Sequence, residues 1–335
     1  MPPLAIGLVY DLQGSYPCEP GDPPDMDAEY EPDATLALLE RAIERLGHRP
    51  VRVGNPHALL GRAGKGELPS LDAALNLAEG FGGRNREAWA PVLLEMAGVP
   101  TLGSDALTLS ASLDKVWART LAEAAGLPTP AQRSVASGAE ARAMELPAPF
   151  PLFVKPRWEG TSKGIRSTSR VADREALVLE VERITRDYDQ PALVEAFVGG
   201  PEYTVTLVGT PARALPVLQR ALEDTTGIGL HALEREVPPG AEGWSHRLPG
   251  ALSPALEDGL AELALRAHAA FDCLDFSRSD FRLDDAGEAR FLEINPLPTF
   301  AANGSFGILA ELEGRSADAL LADVIAGALE RLGLG

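Results

Sequence analysis

The sequence predicts an α/β protein, with a parallel α/β lobe first and antiparallel hairpins after it. Three observations carry this. Strand-like and helix-like runs alternate from residue 4 to about residue 97, as in a parallel sheet covered by helices. FPLFVKP, EGTSKG and IRSTSR follow one another over residues 150–170 and read as strand, Gly-rich loop, strand. RSDFRLDDAGEARFLEIN, residues 278–295, reads as two alternating runs about a turn.

At 335 residues the chain is long enough for two or three domains with real cores. The expected divisions are residues 1–104, 105–190 and 191–335. With 45% hydrophobic and 24% charged residues, the composition is that of a soluble globular protein. No segment approaches ~18 uncharged apolar residues, so no membrane span is expected. The start, MPPLAIGLVYD, lacks a cationic region and reads as a first strand, not a signal peptide. Cys18 and Cys273 are the only cysteines and have no metal-like spacing, which points to a cytoplasmic protein without a disulfide framework. A net charge of −19 argues against nucleic acid as a partner. Of the 30 basic residues 26 are Arg, and three of the four lysines, Lys115, Lys155 and Lys163, fall in the stretches that carry polar motifs.

Residues 4–11 are the first buried strand, and a polar, Pro-rich loop runs from Gln13 to about Asp33 with acids expected in solvent. A helix over 34–46 stops at Gly47, and short strands follow at 49–53 and 72–77. Gly80, Gly82 and Gly83 make a turn ahead of a helix over 87–97. Such a turn can cradle an anion, and equally can be a plain tight turn. A second unit begins near Asp105. Ser112-Leu113-Asp114-Lys115 opens a helix that Gly126 and Pro128 stop. The strand over 150–156 delivers Lys155 at its end, and the EGTSKG loop offers backbone amides and the Thr161 and Ser162 hydroxyls to phosphate oxygens. A polar hairpin loop with no ligand fits the loop alone as well. After a helix over 173–187, two β-rich runs meet at Gly199-Gly200-Pro201 with Glu195 and Glu202 on either side. Both are either surface charges or carboxylates placed for ribose hydroxyls. A strand from Ala214, a loop over 223–243 and a helix over 254–271 lead to the hairpin, and an amphipathic helix over 317–332 ends the chain.

The hairpin has the most chemical content. With Ala286-Gly287 as a two-residue loop, Asp285 pairs with Glu288, Asp280 with Glu293 and Arg278 with Asn295. Alternation puts these four site groups on one face and Phe281, Leu283, Leu292 and Ile294 on the other. Facing carboxylates repel unless a cation lies between them. Two carboxylates and an amide oxygen suit Mg²⁺ with room for phosphate oxygens, whereas a solvated hairpin would scatter the same charges.

The loop also fits G-x-S-x-G, with Asp224 and His231, His246 or His268 following in the chain order of a hydrolase triad. That motif needs a helix straight after the serine, and here β-branched residues come next. A nucleotide-binding regulator without turnover is a further alternative.

Taken in order, the Asp-Lys helix start, F-P-L-F-V-K-P, E-G-T-S-K-G, L-V-E-A-F-V-G-G-P-E, R-S-D-F and E-I-N-P-L-P resemble the ATP-grasp superfamily, and within it the D-alanine–D-alanine ligases. The similarity runs from about Asn76 to the C-terminus. It implies an ATP-grasp fold, in which two lobes sandwich ATP behind an N-terminal α/β lobe. It also implies an ADP-forming ligase that makes an amide through an acyl phosphate and acts on amino acids or dipeptides. By resemblance, Lys115, Lys155 and the loop residues Glu159, Gly160, Thr161, Ser162 and Gly164 would meet the phosphates. Glu195, Phe197 and Val198 would hold adenine, and Glu202 ribose. Asp280, Glu293 and Asn295 would hold two Mg²⁺ (or Mn²⁺) ions. Arg278, with Thr161 and Ser162, would serve the reacting groups, and Ser305 with Gly304 the second substrate's carboxylate. A homodimer and a role in peptidoglycan biosynthesis are implied in the same way. The chain departs from the family where amino acids bind. The opening is YDLQGSYPCEP in place of Gly-Gly-x-Ser-x-Glu, with Glu19 and Glu29 the acids that would have to substitute. EGFGGRNRE stands in place of H-G-x-x-G-E-D, Pro298-Thr299 in place of P-G, and Thr161 where a serine is expected. No lysine–tyrosine pair lies between Glu202 and Arg278.

Overall fold

The structure is a computed structural model that describes residues 2–17, 21–229 and 252–335. Glu19, His231 and His246 lie outside the described residues. The first sheet is parallel, in the order β2-β1-β3-β4: β1 (Ala5–Tyr10), β2 (Arg49–Gly54), β3 (Ala73–Leu77) and β4 (Thr101–Leu102). The helices α1 (Asp33–Arg45), α2 (Pro56–Lys65) and α3 (Trp89–Met96) connect its strands. This is the parallel α/β lobe that the alternation predicts.

The second sheet is antiparallel, in the order β5-β8-β6-β7. Its strands are β5 (Gln132–Val135), β6 (Leu152–Pro156), β7 (Arg170–Val171) and β8 (Ala192–Ala196). Two helices lead into it, α4 (Ala106–Leu113) and α5 (Lys115–Ala124), and α6 (Gly138–Ala143) and α7 (Arg174–Tyr188) cover it. The helix expected to open at Ser112-Leu113-Asp114-Lys115 is α5, which Asp114 starts by capping the Val116 and Trp117 amides, and α4 ahead of it was not expected. The IRSTSR run is mostly a 3₁₀ turn at Ser167–Ser169, and only Arg170–Val171 pairs with β6. Because β8 lies in this sheet, the sheet continues beyond residue 190.

The third sheet holds β9 (Glu202–Val208), β10 (Arg213–Ala214), β11 (Leu218–Arg220), β12 (Phe276–Leu283) and β13 (Ala289–Asn295). Its inner face packs Val205, Leu207, Phe281, Phe291 and Ile294 against α5 and α8 (Pro254–Ala270). The chain then returns to its beginning. The helices α9 (Ser305–Leu312) and α10 (Ala317–Arg331) share one core with α1, Ile6, Leu8 and Leu75. No described helix is long and apolar enough to cross a membrane.

The hairpin differs from expectation in an instructive way. The loop has three residues, not two: Asp284 N–H bonds Glu288 O, Gly287 N–H bonds Asp284 O, and Gly287 takes φ 80°. That shifts the tip pairs by one, to Leu283–Ala289, Arg282–Arg290 and Phe281–Phe291. A β-bulge beyond Phe281 then absorbs one residue and restores Asp280–Glu293 and Arg278–Asn295. The extra residue is Leu292, which leaves the core and lines the cleft, while Phe291 takes the core position against Phe281.

Candidate functional site

A cavity of about 340 Å³ is lined by the second and third sheets and by Glu29, Glu31 and Glu79 from loops of the first lobe. One wall is the outer face of the third sheet. Cross-strand neighbours there are Glu202 with Arg282, Thr204 with Asp280 and Thr206 with Arg278, and β13 adds Glu293 and Asn295. The strand period of two turns all these polar side chains to one face. Asp280 Oδ1 accepts from Thr204 Oγ1 at 2.7 Å and Oδ2 from Arg278 at 3.0 Å. Thr204 in turn accepts from Arg220 Nε at 3.1 Å. Burial alone would raise the Asp280 pKa, but Arg278 and Arg220 outweigh it and hold the carboxyl below its ordinary value. The same acids reverse the burial effect on Arg278 and raise it. Glu293 faces Lys115 at 3.8 Å, and the Asn295 side-chain oxygen accepts from Leu297 N–H at 2.9 Å. No three His, Cys, Asp or Glu side chains among the described residues are gathered to hold an ion. This face offers two carboxylates and an amide oxygen, a hard-oxygen set that leaves positions for phosphate or water oxygens.

Opposite it, Lys155 ends β6 with its ammonium 2.9 Å from Glu195 on β8. Burial would lower that ammonium's pKa, but Glu195 and Glu293 turn the shift upward, so Lys155 stays charged. Phe197, just past β8, carries Arg170 at 4.5 Å and Arg282 at 5.3 Å from its ring centre. Phe153, Ile165, Val198, Ile228 and Leu292 complete an apolar slot beside it. Glu202 ion-pairs with Arg282 at 3.8 Å, yet burial keeps its pKa above the ordinary value.

The Gly-rich loop closes the third side. Thr161 (φ 47°) and Ser162 (φ 56°) both adopt the left-handed region, which disfavours side chains by roughly 1–2 kcal/mol each. Gly164 (φ 78°) has no room for a Cβ, which would meet Pro156 Cγ at 2.5 Å. Lys115 Nζ donates to Glu159 O, and Gln190 donates to the Glu159 carboxylate at 2.7 Å. Asp114, next to Lys115, accepts from Arg157 Nε and Nη2, each at 2.8 Å.

The fourth side is built around Ser305, Glu29 and Glu31. Ser305 opens α9 with a buried hydroxyl that has no partner among the described residues, after Gly304. Around it the expectation of a solvated acidic loop is overturned: Glu29 and Glu31 are buried. Arg86, 2% exposed, is the cause for Glu29. Its guanidinium lies 2.8 Å from Glu29, 3.5 Å from Glu79, 3.6 Å from Glu159 and 3.8 Å from Glu87, and donates to Trp158 O. Burial would raise the Glu29 pKa, but Arg86 and Lys163 bring it down to about 2. Glu87 goes the other way, up to about 7, because burial outweighs Arg86 and Glu29 adds repulsion. Glu31 accepts from Thr299 Oγ1 at 2.7 Å and the Phe300 amide at 3.3 Å, neutral donors that do not offset burial, and its pKa is raised. At the turn, the Gly80 amide donates to the chain's own Asp11 carboxyl at 2.8 Å, and burial raises the Asp11 pKa.

The cavity therefore brings together Lys115, Lys155, Glu159, Gly160, Thr161, Ser162, Glu195, Phe197, Val198, Glu202, Arg278, Asp280, Glu293, Asn295, Gly304 and Ser305. Gly164 is not among its lining residues and acts from the loop's far end. Sequence reasoning missed Arg86, Glu31, Arg220 and Arg282. Met26 and Tyr30, both buried and one helical turn apart around Glu29, were the available sign that this loop docks. For the triad alternative, the His268 ring bonds Ser277 at 2.8 Å in the core behind β12, and the helix required after Ser162 starts only at Arg174.

The D-Ala D-Ala ligase C-terminal family matches residues 121–326. A D-alanine–D-alanine ligase of Marinomonas sp. is 30% identical over 80% of this chain and 81% of its own length. One of Marinobacter nauticus is 31% identical over 77% and 75%. Among solved structures, D-alanine–D-alanine ligase from Bacillus anthracis complexed with ATP superposes with TM-score 0.69 at 18% identity, covering 99% of both chains. The VanG D-Ala:D-Ser ligase of Enterococcus faecalis superposes with TM-score 0.71 at 18% identity, covering 97% of this chain and 99% of that one. These relatives share the ATP-grasp architecture of the three sheets, and this chain is a member of the D-alanine–D-alanine ligase family.

Proposed function

We propose that the chain is an ATP-dependent carboxylate–amine ligase of the D-alanine–D-alanine type, forming an amide and ADP in the cytoplasm. The observation that carries this is the outer face of the third sheet, where Arg278, Asp280, Glu293 and Asn295 converge on a cavity that Lys115, Lys155 and the Gly-rich loop enclose. In this reading Lys115, Lys155 and residues 159–164 hold the triphosphate. The Phe197–Val198 slot and Glu195 take adenine, and Glu202 the ribose. Asp280, Glu293 and Asn295 hold Mg²⁺, two ions by family analogy, which supplies charge neutralisation for the phosphoryl group when bound.

The first substrate's carboxylate oxygen attacks the γ-phosphorus, and the bond to ADP breaks. Lys155 stays cationic because Glu195 and Glu293 face it, so it can stabilise the charge that moves onto the bridging oxygen. The amine of the second substrate attacks the acyl carbon, and phosphate leaves. Arg278 donates to the tetrahedral oxyanion, a role worth ~3–4 kcal/mol at such sites. The Ser305 hydroxyl, buried and without a partner among the described residues, donates to the second substrate's carboxylate.

A second reading, joining of a different amino-acid pair, is favoured by the rebuilt amino-acid end. Both Glu29 oxygens are taken, by Arg86 and Gly160 on one side and Lys163 on the other, so a substrate ammonium must look to Glu31 or Glu79. The test is Mg²⁺-dependent ADP release across D- and L-amino acids singly and in pairs, with the product mass measured. ADP release with a D-Ala–D-Ala mass supports the first reading, and another dipeptide mass supports the second. Silence across the whole panel would refute both.

A further inference from the structure

The Gly-rich loop is gripped at both ends from outside its own sheet. The Gly160 amide donates to Glu29 Oε1 at 2.6 Å, and the Gly164 amide donates to Asp25 Oδ2 at 2.7 Å. The acceptors lie 131 and 139 residues away, in the segment between β1 and α1. Each is itself fixed: Asp25 Oδ1 accepts the Tyr188 hydroxyl at 2.7 Å, and Glu29 is clamped by Arg86 at 2.8 Å. Between the two grips Thr161 and Ser162 run left-handed. A backbone of that kind persists only when its surroundings over-determine it. The hairpin supplies little of this, since β7 is two residues long.

We propose that Asp25 and Glu29 are positioning residues that strap the Gly-rich loop in its folded-over shape before nucleotide arrives. The consequence for catalysis rests on the ligase reading; the strap itself does not. A loop ordered in advance loses less freedom when the triphosphate enters, so nucleotide binding gains. The strap also explains where this chain places its order. No Lys–Tyr pair lies between Glu202 and Arg278, and the loop is tied instead to the first lobe.

The experiment is hydrogen–deuterium exchange on the full chain without nucleotide, comparing wild type, Asp25→Ala and Asp25→Asn. Wild type should exchange slowly over residues 158–166, and Asp25→Ala faster by about tenfold, the scale of one lost charge-assisted hydrogen bond. Asp25→Asn keeps an acceptor for the Gly164 amide and should recover most of the protection. Unchanged exchange over β12 and β13 in both variants identifies local release and not unfolding. With Mg-ATP and amino acids, Asp25→Ala should raise KM for ATP by about fivefold or more while kcat changes by less than about twofold. Equal loop exchange in wild type and Asp25→Ala overturns the strap, as does Asp25→Asn behaving like Asp25→Ala. Absence of ADP release from wild type overturns the ligase reading and leaves the exchange result to decide on the strap.

Discussion

The two ends of the cavity are built by different means. At the proposed nucleotide end the polar groups stand on adjacent strands and are aimed by alternation: Thr204, Asp280 and Glu293 are cross-strand neighbours in one ladder. At the proposed amino-acid end they come from loops, and Arg86 holds four acids from three separate stretches in one buried cluster. Chemistry placed on a ladder inherits its geometry from hydrogen bonds that the fold needs anyway. Chemistry placed on loops depends on the charges themselves, so the same side chains carry both structure and function there.

The sharpest way to break this comparison is at the ladder. Asp280→Ala should abolish ATP turnover, a loss of about 10³-fold or more, with the fold intact because β9, β12 and β13 keep their backbone pairing. ADP release and far-ultraviolet circular dichroism together test this, and retained turnover would remove Asp280 from the reacting centre.

At the loop end the order reverses, with stability failing first. Arg86→Ala takes the guanidinium from Glu29, Glu79, Glu87 and Glu159 while they remain buried, with Lys163 left beside Glu29 and Glu159. The expected loss is about 3 kcal/mol in urea unfolding at pH 7. A loss comparable to an exposed pair, below about 1 kcal/mol, would mean that the cluster opens to water.

The smallest effect sharpens the comparison by pH. Glu87 titrates near 7 in the folded chain and near 4.5 when unfolded, so the folded state binds the extra proton between those values. Stability from this site is full below pH 4.5 and is lost as pH rises through about 7. Glu29 works in the other window: its folded pKa of about 2 gives stability above 4.5 that is lost on acidification. Glu87→Gln should therefore flatten the decline between pH 5.5 and pH 8, by about 1–3 kcal/mol relative to wild type. Thermal or urea unfolding at those two pH values checks it, and parallel profiles would contradict the assignment.

The same contrast sets how much was legible in the sequence. The alternating units, the strand carrying Lys155, and the pairing of Asp280 with Glu293 all follow local periodicities, and the structure has them. The face of Leu292 was misjudged because alternation cannot register a bulge, and the expected two-residue turn compensated for it. Glu29 and Glu31 read as solvated because their partners, Arg86 and Thr299, are far along the chain. A buried ion pair has no signature within either stretch alone. No helix was expected at α9, for a related reason. Its packing onto α10 and Phe300 decides its state, and Gly307 is there because a Cβ would lie 1.8 Å from Ala302 O.

The bulge at Leu292 has a consequence for how the hairpin tolerates change. Residues 281–291 and residues 278–280 with 293–295 are geared separately, with one spare residue as the clutch. The loop beyond Leu283 and Ala289 can lengthen or shorten while the acids at the base stay in mesh. Deleting Leu292 would leave Phe291, Glu293, Ile294 and Asn295 in plain alternation, so Glu293 would keep its place opposite Asp280 while the cleft wall loses an apolar side chain and the two halves turn as one.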